Sequence, residues 1–237
     1  MVKSQLLFII SVLLISGCSR SISDANNRYS SLYGGELNDL DVLGVNVYAE
    51  ISDDEISKIL ETRSQTGSIK LKEGDKVLLI QSGAMIPDEI MVNAISKYYV
   101  VTPFTGIPQH NKEKDKNAPV YSKSLRYAAA TAGIETIIVY WGVIDTETDP
   151  SFSKTISWIP ILGNFVPDEE KRMNIRLKVA IIDVKTGKWE LISSKGFLDS
   201  SYSSYTTRNS VDQNLVKALK EKTYPAAVEE IVKYYSK

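Results

Sequence analysis

Hydrophobic and polar positions divide the chain into three parts. Lys3 precedes an apolar run, Leu6 to Ile15, interrupted only by Ser11 and closed by Ser16-Gly17-Cys18. The run is shorter than the roughly 20 apolar residues a spanning helix needs, and small residues follow it, so residues 1–17 read as a secretory signal. From Ser19 to about Gly44, Ser, Asn, Asp, Tyr and Gly dominate without a sustained apolar period, the pattern of a tether over residues 18–45. Its apolar groups Leu32, Tyr33, Leu37, Leu40 and Leu43 can dock on the edge of a domain.

A single α/β domain is expected over residues 46–237. Ser52-Asp53-Asp54-Glu55 fits a capping box and predicts a helix over 53–63, with Ile56, Ile59 and Leu60 on one face. Lys76 to Gln81 is a continuous apolar run flanked by Gly74 and Gly83, as in a strand buried on both faces. Pro87-Asp88 opens a helix to about Lys97 with Ile90, Met91, Ala94 and Ile95 as its stripe, and Tyr98 to Phe104 returns as a strand. Strand, helix and strand in so short a span make a parallel crossover.

A sign-alternating polar loop, Gly106 to Pro119, leads to an alanine-rich helix over 122–132. The most apolar strand, Ile134 to Ile144, then completes a second crossover and is expected at the centre of the sheet. Met173, Ile175, Leu177, Val179 and Ile181 alternate with Asn174, Arg176 and Lys178, and Asp183-Val184-Lys185-Thr186-Gly187 turns the chain into an antiparallel partner over 189–193. After a Ser/Tyr/Thr-rich link, residues 212–235 carry apolar groups at helical spacing, with Pro225 expected to bend or divide the helix. The fold class is therefore α/β: a mixed sheet with helices packed on it, two β-α-β crossovers, and a C-terminal antiparallel hairpin plus helix.

Leu14-Ile15-Ser16-Gly17-Cys18 resembles the lipobox of bacterial lipoproteins. That resemblance implies cleavage between Gly17 and Cys18 and acylation of Cys18, which becomes the first residue of the mature chain. At about 0.8 kcal/mol per buried methylene, two or three acyl chains make attachment effectively permanent where one leaves it reversible. Ser19 stands where an aspartate would resemble an inner-membrane retention signal, so the resemblance implies the outer membrane. A looser similarity spans about Asp75 to Lys237 and rests on the order of elements and the turn at Asp183 to Gly187. It is to the periplasmic domain shared by the lipoproteins CsgG, PelC and LpoB and by the N-terminal domain of TolB. It implies assembly, secretion or activation of envelope machines, without catalysis.

Charge and composition narrow the chemistry. Against 29 acidic residues stand 28 basic ones, leaving a net charge of -1 and no field to attract nucleic acid. Cys18 is the only cysteine, so no disulfide forms within the chain and the core must hold the exported protein. His110 is the only histidine, too few ligands for a zinc site. Asp145, Glu147 and Asp149 alternate like the start of a calcium loop, but Pro150 and Ile156 occupy the positions of its glycine and its bidentate glutamate. Neither metal nor cofactor is expected.

Ser151-Phe152-Ser153-Lys154 and Lys185-Thr186-Gly187 match the S-x-x-K and K-T-G motifs of penicillin-recognising enzymes in letters only. There the serine opens a buried helix, whereas Ser151 follows Pro150 in a loop and Lys185 to Gly187 belong to a hairpin turn. Ser82 lies at a strand-to-helix turn without the glycine of a nucleophile elbow.

The segment Thr155 to Pro167 is unusual for a loop between strands, carrying Trp158, Ile159, Ile161, Leu162 and Phe165 between prolines and flanking charges. It is either folded over the sheet or an exposed contact site for a partner subunit or the lipid surface. The expectation is a lipid-anchored envelope protein, facing the periplasm from the outer membrane, serving as a non-catalytic scaffold or accessory subunit. Its partners would be the membrane, through acyl chains on Cys18, and an envelope protein or a like subunit. The alternatives are an envelope hydrolase using Ser82 or Ser151, or capture of a small ligand near Gly83 and Gly106.

Overall fold

The chain was analysed as a computed structural model, which describes residues 18–25, 35–46, 49–108, 121–149, 169–193, 197–203 and 208–236. Its axis is a long antiparallel pair, β4 (Thr136–Asp149) and β5 (Glu169–Asp183), in register from Thr136↔Asp183 to Asp149↔Glu170. Around this pair the seven strands among the described residues form one mixed sheet with two halves.

In the lower half β2 (Lys76–Gln81) runs parallel to both β3 (Val100–Phe104) and β4, and β6 (Trp189–Ser193) pairs antiparallel with β5, in the order β3-β2-β4-β5-β6. In the upper half β1 (Cys18–Ser21) takes the edge of β4 above β2, and β7 (Phe197–Ser203) takes the edge of β5 above β6.

Side-chain alternation explains the layering. Ile138, Tyr140, Ile144, Met173, Ile175, Leu177, Val179 and Ile181 line one core, which also takes the buried faces of α4 (Glu89–Ile95) and α6 (Arg208–Tyr235). Ile137, Val139, Trp141, Ala180 and Ile182 line the other, with Leu125 and Ala129 of α5 (Tyr121–Thr131). Each fully buried aliphatic or aromatic side chain contributes about 1.5–3 kcal/mol, and the two cores together replace the disulfides the chain lacks. The α/β class, both crossovers, the central β4 and the C-terminal hairpin agree with the sequence.

Several elements differ from expectation. β4 continues past Ile144 because its polar residues pair with β5; their polarity marks a strand face, not a strand end. β7 forms within the stretch expected as a link, its backbone zipped to residues 169–175. α6 runs undivided through Pro225, since Leu219, Tyr224, Ala227, Val228 and Ile231 on both sides of the proline bury into the same core. The helix predicted over 53–63 is α3 (Asp53–Thr66), with the capping box formed by Ser52 and Glu55, yet Ile56, Ile59 and Leu60 are 48%, 64% and 64% exposed.

Much of the stretch read as a tether is packed. After β1, Ile22 in α1 (Ile22–Ala25) is 1% exposed and fills the space above Gly142, where a Cβ would lie 2.2 Å from Ile22 Cδ1. Leu37 and Val42 are buried, and α2 (Asp39–Leu43) is capped by Asn38 and by Gly44 in the left-handed conformation.

Candidate functional site

In open sheets with parallel strands, ligands bind in the crevice beyond the carboxyl ends of the strands. Here that crevice lies past Gln81 of β2, beside Tyr140 of β4. Gln81 and Ser82 are each 1% exposed, because the chain's own N-terminal residues are seated over them. Gln81 Nε2 donates to Ser23 Oγ at 3.0 Å, and Ser23 Oγ donates to the Ser82 carbonyl. The amide of Leu37 donates to Ser82 Oγ at 2.8 Å. Gln81 Oε1 accepts from the Tyr140 hydroxyl and from the amide of Asp88 at 2.7 Å. Gly83 donates to the Gly106 carbonyl at 2.9 Å, and Gly106 donates to the Ala84 carbonyl at 2.8 Å. The two glycines considered for ligand capture thus hold each other.

Behind this layer lies an ion pair. Lys220 Nζ and the Tyr224 hydroxyl each donate to Asp88 Oδ2 at 2.7 Å, and the Tyr224 ring meets Tyr140 edge-on at 5.9 Å. Lys220 is 3% exposed; burial holds its ammonium below the usual lysine range, and Asp88 pulls the other way. Burial likewise pushes the phenols of Tyr140 and Tyr224 well above the ordinary tyrosine value, with the Asp88 charge adding to it. Residues from α1, β2, β4 and α6 are tied, with Asp88 at the N-cap of α4, into one polar bolt.

The bolt makes stability sensitive to alkali. Tyrosines with a folded pKa above the unfolded value contribute fully below about pH 10, and that contribution is lost as pH rises. The expected loss is about 1.4 kcal/mol per pH unit for each of Tyr140 and Tyr224. Tyr99, pushed up to about 12 by burial and then by Glu73 and Asp75, loses its share across the same range. Lys220 acts in the opposite sense, since the folded chain sheds that proton before the unfolded one does, so stability rises toward the ordinary value of 10.5. Urea midpoints measured against pH should therefore pass a maximum near pH 10 and fall beyond it, and Tyr224→Phe should flatten the fall. A flat profile above pH 10 would contradict the buried phenols.

A serine nucleophile needs a base within hydrogen-bond reach. The Ser82 hydroxyl instead receives the Leu37 amide and is sealed from solvent. Ser151 and His110 lie outside the described residues, as do Gly17, Trp158, Ile159, Ile161, Leu162 and Phe165. Asp145 lies in an extended strand and accepts from Nε and Nη2 of Arg176, at 2.7 and 3.0 Å, which hold its carboxyl below the usual range. The calcium-like spacing is thus one face of β4, where Asp145 is neutralised by β5. Cys18 is the first residue of β1, opposite Thr146.

The Asp88-Lys220-Tyr224 cluster was not anticipated. Its trace in the sequence is Lys220 and Thr223 on the same helical stripe as Leu215, Val216, Leu219 and Tyr224, all of them buried.

Residues 38–234 match the family described as YafT bacterial lipoprotein. No curated protein matches the chain. Solved structures similar to it include a PelC dodecamer from Paraburkholderia phytofirmans, 12% identical over 68% of this chain and 94% of that one, with a TM-score of 0.29. A second is the hypothetical protein CT253 from Chlamydia trachomatis, at 11% identity over 69% and 98% with a TM-score of 0.28. The lipoprotein GNA1162 from Neisseria meningitidis is 13% identical over 67% and 99%, with a TM-score of 0.21. Superpositions that loose bear on neither assembly nor individual residues.

Proposed function

Since the chain belongs to the YafT bacterial lipoprotein family and is thereby a lipid-anchored envelope protein, we propose that its anchor is carried by Cys18 and its domain serves as a non-catalytic scaffold or accessory subunit. Cleavage between Gly17 and Cys18 leaves the cysteine at the mature N-terminus, and Ser19 directs the product to the outer membrane, facing the periplasm. The lipobox spelling and the uniqueness of Cys18 support this placement.

One observation supports the non-catalytic reading above the others. The crevice that α/β sheets use for chemistry is filled by Ile22, Ser23 and Leu37, with Ser82 hydrogen-bonded to the Leu37 amide. A protein built this way acts through its surface.

The contact we assign to an envelope partner or a like subunit is Trp158, Ile159, Ile161, Leu162 and Phe165, in the segment that leaves β4 at Asp149 and re-enters β5 at Glu169. Apolar residues rimmed by charge suit a protein contact. A photo-crosslinker at position 158 in intact cells is expected to capture a discrete envelope protein or a second copy of the chain. Trp158→Ser with Phe165→Ser should abolish capture while changing stability by less than about 0.5 kcal/mol. A misfolded double variant would assign the segment to the core, and labelling of Ser82 or Ser151 by a serine-reactive phosphonate would favour the hydrolase.

A further inference from the structure

The residues that follow the anchor leave no slack. Cys18 to Ser21 pair antiparallel with Thr146 to Val143, so the first mature residue is already in register in the sheet. Ile22 is seated on Gly142, and Ser23 is bonded to Gln81 and to the Ser82 carbonyl. A flexible linker of about 15 residues would let a domain wander roughly 20 Å from its anchor. Here acyl chains would emerge from a residue fixed in β1.

That placement singles out one end of the molecule. β1 begins, β4 and β7 end, and β5 begins at the same end of the sheet. We propose that this end faces the phospholipid surface, so that the domain stands upright on the membrane with the long axis of the β4-β5 pair rising from it; this rests on the Cys18 anchor proposed above.

Asp145 pairs with Arg176 and Lys178 with Asp39, each at 2.7 Å, while the strand ends beyond them carry Glu147, Asp149, Glu169 and Glu170 against Lys171 and Arg172. The ten residue steps of β4 from Thr146 down to Thr136, at about 3.3 Å each, put the turn at Asp183 to Gly187 about 33 Å from the anchor level. The recess at that far end, lined by Asp75, Lys76, Glu135, Asp183 and Lys188, would then open into the aqueous compartment.

Acylation occupies the one native thiol, so introduced cysteines label singly. The acylated chain carrying Thr146→Cys or Lys185→Cys is labelled with an environment-sensitive fluorophore and reconstituted into phosphatidylethanolamine and phosphatidylglycerol vesicles containing nitroxide-headgroup lipid. Quenching is expected to be severalfold stronger at 146 than at 185. Inserting about 15 Gly/Ser residues between Cys18 and Ser19 should make the two sites alike, because the linker frees the orientation. Equal quenching in the chain without the insertion, with the protein sedimenting with the vesicles, overturns the orientation alone. A protein that stays in solution and whose mass shows Cys18 bare overturns the anchor as well.

Discussion

Replacing Asp88 by alanine is expected to destabilise the mature chain by about 3–5 kcal/mol, the cost of removing one member of a buried ion pair. Lys220 is 3% exposed and Asp88 14%, so water offers little compensation when the carboxylate is gone. The Tyr224 hydroxyl loses the same acceptor. Against a total stability of about 5–15 kcal/mol, this loss removes a large share of the folding free energy.

Urea denaturation of the acylated protein in mild detergent, followed by tryptophan fluorescence, reads the effect directly. Two further outcomes identify its cause. Asp88→Ala with Lys220→Met should recover much of the loss, since removing both charges also removes the desolvation they required. In the single variant the Lys220 pKa falls further below its ordinary 10.5, so stability should climb more steeply with pH between neutrality and that value than it does in the unaltered chain. A single-variant cost under about 1 kcal/mol would mean that the pair behaves as a surface ion pair.

Gly106→Ala is expected to cost about 3 kcal/mol or more, at or above the upper end of ordinary overpacking. A Cβ there would lie 1.7 Å from the Gln81 carbonyl oxygen and 2.6 Å from its carbon, both backbone atoms of a buried strand. Nothing flexible can give way, and moving Gly106 breaks its bonds to Gly83 and Ala84. Gly133→Ala provides the contrast: its φ is +68 but nothing lies within 4 Å of the added carbon, so only the left-handed backbone penalty of about 1–2 kcal/mol applies. Thermal unfolding of the two variants side by side should separate them clearly. If Gly106→Ala were as mild as Gly133→Ala, the loop would not be clamped against β2.

The sequence also shows why the bolt escaped notice. Ser23, Gln81, Asp88, Tyr140, Lys220 and Tyr224 are scattered over nearly the whole chain and share no motif. Only Lys220, a cation on an apolar helical stripe, departs from its local pattern. The N-terminal stretch misleads for the opposite reason: Ile22, Leu37 and Val42 are too sparse to form a period, so the sequence suggests edge docking for Leu37 and no burial for Ile22 or Val42. The burial of Ile22 depends on Gly142, 120 residues away, leaving room, and that of Leu37 on Ser82, 45 residues away, offering a hydrogen bond, both invisible to any local window.

Local patterning determined the elements that carry their own signal. The capping box at Ser52, the buried run of β2, the alternation along β5 and the turn at Asp183 are each decided by residues within a few positions, because helix caps, pleats and turns are short-range geometry. The lipobox is of the same kind. Tertiary structure alone decided that β1 and β7 are strands, that the crevice beyond β2 is closed by the chain's own beginning, and that a lysine stays buried opposite an aspartate. Edge pairing, cavity filling and desolvated charge depend on what another part of the chain brings into contact, and that information exists only once the chain has folded.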